Sequence, residues 1–92
     1  MTSYTDTMKK AVQGVIDKYT ADTLDNFVRA TIKDAGMKKM DEGASAIEVA
    51  DAVFDCMSAD FSGNAYMAAA CQQICPRSIL LLIRHEIVKT LK

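Results

Sequence analysis

Glu48, Asp51 and Asp55 stand at spacings of three and four residues, so a helix through them gathers three carboxylates on one stripe. Such a stripe could hold a hard divalent cation, imitate a phosphate backbone or dock a basic protein surface. A cation asks for six or more oxygens, which one helix face does not supply. Phosphate mimicry fits poorly with a formal charge of only -1. Like charges one turn apart cost an isolated helix roughly 0.2–0.5 kcal/mol per pair, so simple relief by nearby cations such as Arg77, Arg84 and Lys89 is the plain alternative. Docking is the functional reading, because complementary charge raises encounter rate and specificity. The stripe sits inside a wider imbalance. Residues 41–60 carry six of the twelve acidic residues and none of the eleven basic ones, so the partner expected is a protein with a basic surface.

Cys56, Cys71, Cys75 and His85 match the ligand count and softness of a tetrahedral metal site. The spacing argues against it. Cys71 and Cys75 lie one helical turn apart and could share a metal with His85, but they fall in the apolar arc of their helix, where a thiol packs as a small hydrophobe. The two-residue gap of redox pairs is missing. A metal or thiol protein built on Cys71, Cys75 and His85 therefore stays as an alternative, and no cofactor is expected. His85 falls on the polar side of its helix beside Arg84 and Glu86. As a general base it would need a nucleophile and an orienting carboxylate within reach, and no sequence motif supplies them. The chain is read as non-catalytic.

The basic residues are spread over four segments without a stripe interleaved with aromatics, and a helix-turn-helix around Ser62-Gly63-Asn64 would begin with the acidic helix, which phosphate repels. Nucleic acid is disfavoured as a partner. A second alternative is an oligomer that binds a small anionic ligand, such as a nucleotide, through Arg and Lys near the last helix, although no glycine-rich phosphate loop is present.

The elements that carry these residues follow from apolar periodicity. Residues 6–20 set Met8, Ala11, Val12, Val15, Ile16 and Tyr19 against a polar side. Asp22 can cap a second helix in which Leu24, Phe27, Val28, Thr31, Ile32 and Ala35 repeat the phase up to Gly36, a candidate C-cap. The short link makes the first two helices an antiparallel hairpin. Residues 37–43 read as a connection. Ser45 and Glu48 then form a capping-box pattern opening the acidic helix, which runs to about Phe61. A further helix spans 65–75, and Pro76 separates it from a last one over 77–91. There Ile79, Leu80, Ile83, Ile87 and Leu91 form one arc and Leu81, Leu82 and Val88 fall outside it, the pattern of a helix that is either central or shared between subunits. Leu81, Leu82 and Val88 are the expected self-association residues of a homo-oligomer.

Half of the 92 residues are apolar while Gly and Pro together number five, and there is no Trp. That composition belongs to packed helices and not to a sandwich or a disordered tail. The expectation is one all-α domain over 1–92, a compact bundle of about five short helices opening with the hairpin. A domain of this size buries only about 60% of the surface its unfolded chain exposes, so association would add stability. The polar N-terminus lacks a signal-peptide pattern, and the longest apolar run, 79–83, is far short of the roughly 20 residues of a span. The chain is expected in the cytoplasm, away from membranes. Its function is read as that of an adaptor, regulator or inhibitor docking a partner through Glu48, Asp51 and Asp55.

Overall fold

The computed structural model describes residues 3–58 and 76–92, and these form four helices: α1 (Asp6–Thr20), α2 (Asn26–Asp41), α3 (Ala46–Met57) and α4 (Arg77–Leu91). The all-α expectation holds among the described residues. The expected helix over 65–75, the Ser62-Gly63-Asn64 turn and Phe61 lie outside them, so four helices stand where about five were expected.

Each helix packs on two neighbours, in the ring order α1, α2, α3, α4 and back to α1. The core inside the ring is one column per helix. Val12, Ile16 and the hydroxyl-bearing Thr20 come from α1, Val28, Ile32 and Met40 from α2, Val49, Val53 and Met57 from α3, and Leu80, Ile83 and Ile87 from α4. Thr20 is tolerated because its hydroxyl donates to the Ile16 carbonyl at 2.7 Å, which satisfies a group that would otherwise cost free energy on burial.

The first helix begins where Thr5 Oγ1 accepts the Met8 amide and ends at Thr20, as the periodicity predicts. The second departs from expectation at both ends. Its N-cap is Asp25, whose carboxylate accepts the Val28 amide at 2.9 Å, and Asp22 lies in the turn. Leu24 is the reason: it is buried in the interhelical turn, held by its amide on the Thr20 carbonyl, so the helix starts after it. Gly36 does not cap α2. It is buried in the helix interior, in the column Val28, Ile32, Gly36 and Met40, and a Cβ built there would stand 3.0 Å from Val53 Cγ2 and 3.9 Å from Val12 Cγ1. Glycine is there so that α3 can approach. Helix α2 therefore runs through the expected connection and stops at Gly43, with φ 76°. The Gly43 amide reaches Met40 O and the Ala44 amide reaches Lys39 O, the pairing of a Schellman motif. Phe27, assigned to the apolar side, is 61% exposed, because the buried column of α2 begins one residue later at Val28.

The α1–α2 hairpin is antiparallel and its flank is laced by charge. Lys9 meets Asp41 at 2.6 Å, and Asp17 sits between Arg29 at 3.1 Å and Lys33 at 2.7 Å. Tyr4 adds a tie, its hydroxyl donating to Ala44 O at 2.6 Å. None of these helices is long and apolar enough to cross a membrane.

Candidate functional site

The α3–α4 side presents the acidic row and much of the exposed apolar surface. Helix α3 starts as its sequence says: the Glu48 amide donates to Ser45 Oγ at 3.2 Å and the Ser45 amide donates to Glu48 Oε1 at 3.1 Å. These bonds hold the Glu48 carboxyl below its ordinary range, the Ser45 backbone bond first, its side-chain bond next, with the charge of Lys39 adding to them. Glu48 is thus charged and fixed, with one oxygen engaged at home.

Asp51 accepts from Arg84 Nε at 2.7 Å. The pair crosses from α3 to α4 and is partly exposed on both sides, 38% for Arg84 and 46% for Asp51, so solvent screens it and it contributes about 1 kcal/mol or less. Asp55 is exposed, and its carboxylate makes no ion pair among the described residues. The acidic stripe is therefore three side chains in three states: a cap, an interhelical tie and a free charge.

The Asp51–Arg84 contact and the stacking of the Arg77 guanidinium over Phe54, 5.4 Å from the ring centroid, fix α3 and α4 as antiparallel with residue 51 level with 84. Ile47 and Phe54 lie one turn either side of Asp51, and Leu81 and Val88 one turn either side of Arg84. That register sets two apolar positions of α3 alongside two of α4, with the ion pair between them. Ile47 is 49% and Leu81 48% exposed, while Phe54 and Val88 are half-buried. Apolar spacing alone groups Ile47 and Phe54 with the core residues of α3. The signal that separates them is their seven-residue spacing on a row to one side of Val49 and Val53, a row that the α4 neighbour leaves partly open.

The three expected self-association residues do not share a face. Leu81 and Val88 are seven apart and belong to this seam, whereas Leu82, 40% exposed, is turned about 100° away, toward the α1 side. Exposed Ser78, His85 and Lys89 form the ridge between them. For the thiol alternative, Cys56 is buried in α3 and His85 is exposed on α4, while Cys71 and Cys75 lie outside the described residues. Among the described residues no three His, Cys, Asp or Glu side chains converge. For the anionic-ligand alternative, Arg84 is engaged by Asp51 and Arg77 stacks on Phe54, leaving Lys89 as the exposed cation of the last full turn.

Comparison with protein-family models, with curated proteins and with solved structures finds no match.

Proposed function

We propose that this chain is a small non-catalytic interaction protein whose docking surface is the outer side of α3 and its seam with α4. One observation carries the reading. The row that ends in the unpaired, exposed Asp55 runs beside exposed Ile47 and Leu81, so negative charge and dry surface are offered together. Complementary charge steers the encounter and the apolar strip supplies the affinity. The partner chemistry is a basic surface bearing an apolar stripe. An adaptor, regulator or inhibitor role follows from a domain that recognises without transforming.

Asp55 is the clean reporter, because reversing Glu48 removes a helix cap and reversing Asp51 breaks an interhelical tie. Native-lysate capture with wild-type and Asp55→Lys baits tests the reading. A basic protein held by the first bait and lost from the second at unchanged helical circular dichroism supports it. Equal retention by both baits refutes it.

A further inference from the structure

The α3–α4 surface is complementary to itself. On the α3 side of the apolar seam stand the carboxylates Glu48 and Asp55; on the α4 side stands the exposed cation Lys89. We infer that the basic partner of α3 is α4 of a second copy of this chain, in a two-fold dimer. The inference rests on the docking reading above and names its partner.

Two ways of pairing such a face differ in sign. With the two-fold axis across the helices, α3 lies on α3, and carboxylate meets carboxylate. With the axis along the seam, each α3 lies antiparallel on the α4 of the other copy. The level of Asp51 with Arg84 puts Glu48 level with Ile87, one turn or less from Lys89, so the second arrangement brings each Glu48 to the Lys89 of the other copy. Like charges in contact cost several kcal/mol at an interface, so charge selects the antiparallel α3-on-α4 form. In it Leu81 of one copy meets Phe54 of the other and Val88 meets Ile47, closing four half-covered apolar positions per copy.

The face is modest. Helix α3 has 12 residues, about 18 Å of length, and two helices span about 20 Å. That footprint is well below the ~800 Å² per partner of a standard interface. A weak dimer follows, with Kd on the order of 100 µM.

Sedimentation equilibrium of the full chain from about 10 µM to 1 mM tests this. The expected result is a monomer–dimer equilibrium weakened about 30-fold or more by Leu81→Glu, the loss of one buried leucine per copy at the centre of the seam. The exposure of Leu81 means that the fold tolerates this variant, and a thermal melt checks it. Lys89→Glu chains and Glu48→Lys chains, the latter also checked by thermal melt because it loses the bond to the Ser45 amide, should each be monomeric alone and pair when mixed, since the mixture restores both cross-copy contacts. A monomer at 1 mM overturns the dimer while leaving docking to another basic protein intact. A dimer indifferent to Leu81→Glu and to the charge swap overturns both the dimer geometry and the docking surface.

Discussion

The α1–α2 hairpin and the α3–α4 pair are both antiparallel two-helix units, but they close their flanks differently. The hairpin is laced by three ion pairs and a tyrosine tie along its length. The α3–α4 pair has one ion pair, Asp51–Arg84, and leaves Ile47 and Leu81 about half exposed beside it. A domain this small cannot bury every apolar residue. Where it leaves them, and whether charge frames them, separates the sealed flank from the flank proposed above as the contact surface. The exposed aromatic of the hairpin, Phe27, sits at the first turn of α2.

The sharpest break of this comparison lies within α4 itself. Ile83→Ala should cost about 3 kcal/mol, because Ile83 is 1% exposed and a cavity replaces it. Leu81→Ala, two residues away, should stay within about 0.5 kcal/mol for the isolated chain. Urea unfolding of both variants measures the gap, and similar losses would place Leu81 in the core.

The two helical glycines should respond with opposite signs. Gly36→Leu pushes into Val53 and Val12 and should destabilise by about 2–3 kcal/mol. Gly14→Ala meets nothing within 4 Å and should stabilise by about 0.5–1 kcal/mol through helix propensity. Thermal melts decide both.

Ser45→Ala should cost about 1 kcal/mol, since it removes the oxygen that accepts the Glu48 amide. The same cap gives a pH signature. The Glu48 carboxyl titrates lower in the folded chain than in the unfolded one, so the folded state binds the proton less readily. Its stabilising effect is present above the ordinary carboxylate range and is lost as pH falls through the lowered folded value. A urea midpoint followed from neutral pH into the acid range should fall more steeply for the wild type than for Glu48→Gln, whose amide oxygen can accept the Ser45 amide without titrating.

The ion-pair ties carry modest effects. Breaking Asp51–Arg84 by Arg84→Met should cost about 1 kcal/mol or less, and removing Asp17, which serves two cations, somewhat more. Double-mutant cycles read both, and a larger coupling for Asp51–Arg84 would reverse the contrast between sealed and open flanks.

Much of the fold is legible in local sequence. The bounds of α1 and α4 and the start of α3 follow from apolar spacing, Pro76 and the Ser45–Glu48 box, all of which act within a turn. The ends of α2 are not legible that way. Asp22 and Asp25 are equally good caps, and only the burial of Leu24 in the turn chooses between them. Gly36 resembles a helix stop until the approach of Val53 from α3 is known, which is information held 17 positions away. The site divides likewise. The acidic row is plain in the sequence. The loss of Asp51 to Arg84, the uncovered row of Ile47 and Phe54, and the parting of Leu81 from Leu82 depend on the register of two helices 33 residues apart.

Amide chemical shifts followed from about 20 µM to 1 mM test the central claim most directly, because they report the contact surface residue by residue. The account predicts concentration-dependent shifts at Ile47, Asp55, Leu81 and Val88, with the outer face of the hairpin unchanged. Shifts gathered around Phe27 and Ala30, with α3 and α4 silent, would contradict it.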